Sequence, residues 1–353
     1  MERDRSLSVR SETMERLLFT AFAVAVALQL FVLSSSSTVS AFDPPAVFPV
    51  STRKALQEKA QQINPKDQYS TAGWSNRAAT VLTPQYLNPG VYTADRPFMW
   101  NTIDVGCRST IIELPSSSTS SLPDLWIHSP VTLDGPMQKA LQSVGKVKYV
   151  VSPNYEHVKF APQWFQAYPD SELWACPGLP ERLPEVYWKG EVPYGYRPKD
   201  WQGQKKTSRT LGWDTDVIDA LHIDVEINPF TGKPFFNEVI YYHKPSKTLM
   251  TTDLFWNYPA DTVPNSEFGR DDSWELAPVV DRVPFRSRLW KVGMDKIFTP
   301  FYNNFMVQDK DAYKEIANHI INVWDVEMVI PAHGDILRGK EFIKVVLKKH
   351  FEL

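Results

Sequence analysis

The chain has 353 residues, 43% of them apolar and 13% aromatic, enough to bury the core of one large domain or two small ones. Its 38 basic and 41 acidic side chains leave a net charge of -3, so nothing global points to nucleic acid or to an anionic membrane surface. Two cysteines, Cys107 and Cys176, exclude a disulfide framework and a four-cysteine zinc site, while 28 prolines suit a fold with many ordered loops and edge turns.

In chain order, Leu17 to Leu33 (LLFTAFAVAVALQLFVL) comes first, a 17-residue apolar segment with Arg16 before it and a serine-rich run after it. That length is at the lower limit for a membrane span and a little long for a signal-peptide core. Val39-Ser40-Ala41 supplies the small residues that a signal peptidase accepts, and Phe42 follows. This Ser-Ala-Phe junction resembles the cleavage site of bipartite plastid presequences in algae with secondary plastids, where a phenylalanine opens the transit peptide. From Phe42 to about Pro84 the chain is hydroxyl-rich, with Asp43, Glu58 and Asp67 as acids against Arg53, Lys54, Lys59, Lys66 and Arg77. The resemblance implies a signal peptide over 1–41, a transit peptide over 42–88, one domain over 89–353, and a plastid location. The other reading is an uncleaved anchor with a polar linker, which would place the domain at a membrane surface.

Tyr92 to Leu114 alternates loosely between Pro97 and Pro115 and predicts one or two strands, followed by a Ser/Thr surface loop. Leu125 to Val131 is the next strand. Asp134-Gly135-Pro136 opens a helix with an acidic cap and an early proline, and it runs to about Ser143. Lys148 to Phe160, KYVVSPNYEHVKF, reads as a buried valine-rich strand that Ser152-Pro153-Asn154 turns sharply into a loop carrying Glu156 and His157. A helix from Ala161 to Tyr168 and a strand from Glu172 to Cys176 follow. Pro180 to Asp214 has no countable period and reads as a long surface excursion.

Ala220 to Asn228 alternates strictly, predicting a half-buried strand with His222, Asp224 and Glu226 on its polar face. With Glu238 to His243 and Thr248 to Phe255 it reads as an antiparallel meander, and Pro259 to Pro284 as loop. Helices are expected from about Phe285 to Phe298, from Asp311 to Val323 and from Lys340 to Phe351, with a short strand from Glu327 to Pro331 leading into Ala332-His333-Gly334-Asp335. Strand meanders followed by helices, twice over, predict an α/β fold in which sheets lie between helices.

Three places share one pattern, a buried strand ending in a polar residue able to bind metal: Glu156-His157, Asp253 and His333. Here the sequence resembles the metallo-β-lactamase superfamily, and more closely its divergent DUF4336 branch, through YTADRPF, LWIHSPV, VVSPNYEHVKF, NEVIYYHKPSKTLMTTDLF and VIPAHGD. The resemblance covers roughly Pro89 to Leu353 and implies an αββα sandwich of the metallo-β-lactamase type. The superfamily's His-x-His-x-Asp-His motif falls on Ser152 to His157, so both leading histidines are gone. A further histidine, expected near Phe236-Asn237-Glu238, is also absent. Those three histidines hold the first metal of a two-metal site. The ligands of the second are retained as Glu156 in the aspartate position, His157, Asp253 and His333.

The resemblance therefore implies either a single-metal hydrolase, with zinc, iron or manganese on Glu156, His157, Asp253 and His333 acting on an unknown small molecule, or a non-catalytic binding or assembly protein that kept the fold and lost the metal. Asn154, Asn257 and Asp335 are placed to hydrogen-bond the ligands. His128 reads as a structural, hydrogen-bonded histidine, and His243, His319 and His350 as surface-like. The basic helix around Arg286 reads as a solvated face. No phosphate loop, Ser-x-x-Lys pair or Gly-x-Ser-x-Gly elbow is present.

Overall fold

Strands rich in valine, isoleucine and aromatic residues, most of them buried on both faces, build two sheets, and a computed structural model of the chain shows how they stack. The structure describes residues 81–85, 90–100, 103–115, 122–203, 210–258 and 283–353, with Ser75 and Asn88. Leu17–Leu33, the rest of the expected presequence up to residue 80 apart from Ser75, and the expected loop over 259–282 lie outside the described residues. No helix among the described residues is long and apolar enough to cross a membrane.

The N-terminal half gives β1 (Thr83–Pro84), β2 (Val91–Arg96), a hairpin of β3 (Met99–Trp100) and β4 (Ile103–Asp104), β5 (Cys107–Glu113) and β6 (Asp124–His128). It continues with α1 (Gly135–Val144), β7 (Lys146–Ser152), α2 (Ala161–Ala167), β8 (Glu172–Ala175), the four-residue α3 (Leu179–Arg182) and β9 (Gly190–Glu191). Seven of these strands pair in the order β1-β2-β5-β6-β7-β8-β9, antiparallel as far as β6 and parallel beyond it. Parallel neighbours need crossovers, which α1 and α2 supply. Asp134 caps α1 as its sequence predicts, its carboxylate accepting from Met137 N at 2.8 Å.

The C-terminal half gives β10 (Ile218–His222), β11 (Val239–His243), β12 (Thr248–Thr251), α4 (Phe285–Gly293), α5 (Lys310–Asn318), β13 (Met328–Pro331), β14 (Leu337–Arg338) and α6 (Lys340–His350). Helix continues beyond α4 to Met306, with Met294–Phe298 and Tyr302–Met306 wound as π-helix. The five strands β10 to β14 pair in sequence order, parallel between β12 and β13 and antiparallel elsewhere.

Trp126, Tyr149, Val151, Tyr241, Met250 and Met328 fill the space between the two sheets. Ile127, Val150, Leu141 and Trp164 seal the outer face of the first sheet against α1 and α2, and Leu249, Val329, Ile316 and Leu347 seal that of the second against the C-terminal helices. The layers are α, β, β, α, the αββα sandwich expected.

Three expectations are corrected. Tyr92 to Leu114 holds four strands, because the β3–β4 hairpin folds back and lays Trp100 against Trp290, ring centroids 4.6 Å apart. The Pro180–Asp214 excursion contributes β9 to the sheet edge. The alternating run from Ala220 has no solvent face: all five residues of β10 are buried, and the excursion covers its polar side. Gly195 N donates to His222 Nδ1 at 2.9 Å, and Arg197 pairs with Asp224 at 2.5 Å. Sequence periodicity reports a polar face but not what lies over it.

Candidate metal centre

Three strand ends deliver three side chains to one point. At the end of β7, Asn154 Oδ1 accepts the N–H groups of Glu156 (3.0 Å) and His157 (2.8 Å), a tight turn that brings His157 back over the sheet. After β12, the buried Glu238 carboxylate accepts the N–H groups of Thr252, Asp253 and Leu254, each at 2.7 Å, and so fixes the loop that aims Asp253. After β13, His333 precedes Gly334 at φ +89°, where a Cβ would lie 2.0 Å from the Asn257 carbonyl oxygen. That turn requires glycine. Asn257, expected to hydrogen-bond a ligand, instead holds the loop: its N donates to the His333 carbonyl at 3.0 Å and its side-chain amide to the Asp335 carbonyl at 3.0 Å.

His157 Nε2 lies 3.1 Å from His333 Nε2 and 3.3 Å from Asp253 Oδ2, and His333 Nε2 lies 3.7 Å from Asp253 Oδ1. The outer ring nitrogens are held as well: His333 Nδ1 donates to the Gly106 carbonyl at 2.7 Å, and His157 Nδ1 meets Ser129 Oγ at 2.7 Å. Because a carbonyl only accepts, the His333 proton is on Nδ1 and its Nε2 presents a lone pair. The facing His157 Nε2 must therefore bring a proton to that lone pair or share a metal ion with it.

As a proton site the cluster is consistent. Burial works against a charged His157, but the adjacent Asp253 carboxylate outweighs it and raises His157 well above its ordinary value. Burial and the His157 charge lower His333 to about 4. Burial would raise Asp253, but His157, then His333 and the Asn154 amide, hold it below its ordinary value. A metal ion also suits it: donors 2.0–2.2 Å from a tetrahedral ion stand about 3.3–3.6 Å apart, and the contacts at 3.1, 3.3 and 3.7 Å, the last two to different oxygens of Asp253, lie within a few tenths of an ångström of that range.

His157, Asp253 and His333 thus converge as a group that could hold a metal ion, and Glu156 does not join them. Glu156 lies instead on the wall of the adjoining cavity, of about 340 Å³, which is otherwise largely aromatic. Its side chain reaches solvent at the cavity's edge. Loss of water to the surrounding protein and then the Asp253 charge raise its carboxyl to about 6. The turn made by Asn154 explains the divergence: it directs His157 inward and its neighbour along the wall.

A family model described as a domain of unknown function, DUF4336, matches residues 88–268. The chain belongs to the DUF4336 family. Solved structures similar to it include the DIM-1 metallo-β-lactamase, at 10% identity and TM-score 0.42 over 76% of this chain and 97% of that one. Rubredoxin oxygen:oxidoreductase from Desulfovibrio gigas is 15% identical with TM-score 0.45 over 74% and 59%. The metallo-β-lactamase FIM-1 from Pseudomonas aeruginosa, in its mono-zinc form, is 10% identical with TM-score 0.41 over 77% and 94%. At such identities the likeness concerns the fold alone. No curated protein matches the sequence.

The remaining residues of this DUF4336 chain sort by burial. His128 is structural, stacked on Trp126 and edge-on to Tyr241 (centroids 6.1 and 5.6 Å), but its buried Nε2 has no hydrogen-bond partner among the described residues; burial, then His157, lowers it to about 3. His243 and His319, expected near the surface, are buried. Ser129, Gly106, Cys107 and Glu238 went unmarked in the sequence. Cys107 lines the cavity together with His157. Ser129 carries one legible signal, its place directly after a strand, where it adopts φ +53°.

Proposed function

We propose that the chain holds a single divalent transition metal on His157, Asp253 and His333 and hydrolyses a small molecule in the adjoining cavity, as a divergent metallo-β-lactamase-fold protein of a plastid. The observation that supports this is the convergence of three donors at metal-ligand spacing, with both histidines anchored through their outer nitrogens. Two imidazoles and a carboxylate suit zinc, iron or manganese, and the bound ion would lower the pKa of water and polarise the substrate. The chain's own residues do the rest. Ser129 and the Gly106 carbonyl fix the ring orientations. Glu156, on the wall and outside the donor set, accepts a proton from water as the water oxygen bonds to the electrophilic carbon. The same proton goes to the leaving group as its bond breaks.

Metal analysis of protein purified without a histidine tag tests the reading. About one equivalent of metal, with Glu156→Gln abolishing turnover but leaving the metal in place, is the expected result. Less than a tenth of an equivalent, with no gain in thermal stability on adding zinc, iron or manganese, would sink it.

One observation favours a second reading. A proton on His157 Nε2 satisfies both the 3.1 Å contact with His333 and the 3.3 Å contact with Asp253. With a proton there, the chain is a plastid binding or assembly protein that uses the same cavity for a ligand. His333→Ala then costs stability and there is no activity to lose.

A further inference from the structure

We infer that the cavity over His157, Asp253 and His333 selects a neutral, apolar carboxylic ester. This names the substrate of the site proposed above and rests on that reading for turnover, though not for binding.

Three features of the wall point to this class. The first is its rigidity and apolarity: Trp100 stands against Trp290 at 4.6 Å and Phe236 against Phe298 at 6.0 Å, with Met294 between the aromatic residues as the adaptable element. The volume of about 340 Å³ is that of a small-molecule pocket. The second is charge. Among the described residues the wall's one lysine or arginine is Lys159, and its ammonium lies over the Phe98 and Phe160 rings at 5.2 and 5.5 Å. Two carboxylates, Asp253 and Glu156, share that wall, so a phosphate or a free carboxylate on the body of the ligand meets like charge and few donors. The third is where polarity is found. His157, Asp253 and His333 meet at one point of the wall, so apart from Lys159 and from Glu156 at the edge the charged and ligating groups gather at the donor cluster. A ligand that fills this space has one polar group, directed at the cluster, and an apolar body against the rings.

Hydrolysis of such an ester balances simply. The oxygen of water bonds to the carbonyl carbon, the acyl C–O bond breaks with its electron pair on the alcohol oxygen, and that oxygen leaves with one of water's protons.

The test is fluorescence titration of the full chain with N-phenyl-1-naphthylamine, a neutral apolar probe, with and without EDTA. Saturable binding that survives EDTA is expected, displaced by methyl alkanoates about fourfold more tightly per added methylene until the cavity is full. Trp290→Ala should weaken the probe tenfold or more. Trp100→Ala, on the half-buried hairpin, repeats the measurement should the first variant fail to fold, and Phe305→Ala, exposed elsewhere, should leave binding unchanged. No saturable probe binding, or tighter displacement by 1-naphthyl phosphate than by methyl octanoate, overturns the inference. Failure of the metal reading is a different result: no metal bound, with probe binding intact.

Discussion

Two groups of side chains stand at strand ends around one point of the fold, and they behave oppositely. His157, Asp253 and His333 meet with Nε2 and carboxylate atoms facing one another beside a cavity. Ser152, Asn154 and Glu238, where the metallo-β-lactamase motifs would place the first metal's histidines, face into protein. Asn154 commits both ends of its amide, accepting from two backbone N–H groups and donating to Thr252 Oγ1 at 2.9 Å and Asp253 Oδ2 at 2.7 Å. Glu238 commits its carboxylate to three N–H groups. Asn154 and Glu238 stand where the resemblance implies metal-binding histidines, and here they support the side chains that could hold a metal ion. For Asn154 and Glu238 the difference is one between acceptors left open and acceptors already filled by the backbone.

The largest expected effect comes from emptying the open half. His157→Ala leaves the Asp253 carboxylate buried and unpaired, which costs about 3–5 kcal/mol of stability in metal-free protein and removes metal binding. Urea denaturation and calorimetric metal titration measure both. Metal affinity equal to that of the parent chain would break the distinction between the halves.

Acid is expected to have the next largest effect, and it separates His157 from the other buried histidines, His333 among them. Burial lowers His243 and His350 to about 4, against about 6.5 unfolded. Between these values the unfolded chain binds more protons, so stability rises with pH there. It is complete above about 6.5 and lost as pH falls towards 4, by up to about 3 kcal/mol for each group. His157 has the opposite sign: its pKa is raised, so metal-free protein keeps that contribution at low pH and loses it only as pH rises through the raised value. Unfolding free energies from pH 4 to pH 8 in His350→Asn should show a shallower acid slope than the parent chain.

Glu238→Gln comes third. The loop N–H groups keep an acceptor but lose a charged one, costing about 1.5–3 kcal/mol, and Asp253 is aimed less firmly, costing about 10–100-fold in metal affinity. Parent-like metal affinity would make Glu238 a fold residue only.

How much of this was legible follows from the range of each interaction. The valine run of β7, the acidic cap of α1 and the turn at His333-Gly334 are local, and each is written in consecutive residues. So are the three side chains of the cluster, each at the end of a buried strand. What holds them is not local. Gly106 reaches His333 across the fold, and Ser129 reaches His157 from a neighbouring strand end. Glu238 looks like any acidic residue before a strand until β12 is laid beside β11. Glu156 was misplaced for a related reason: adjacency to His157 suggested a shared ligand, whereas a turn sends neighbouring side chains in different directions.

The smallest effect separates positioning from packing most cleanly. Ser129 is buried with φ +53°, a conformation that favours glycine, and its hydroxyl meets His157 Nδ1. Ser129→Ala removes the hydroxyl and retains the strain, so lost stability and lost orientation are mixed. Ser129→Gly removes the hydroxyl and relieves the strain, so the fold should change by less than about 1 kcal/mol. The His157 ring, no longer held at Nδ1, should then bind metal roughly tenfold more weakly. A glycine variant with parent-like metal affinity would show that packing alone orients His157. One that loses affinity at unchanged stability would extend the filled-acceptor logic of Asn154 and Glu238 to a third residue, on a different strand.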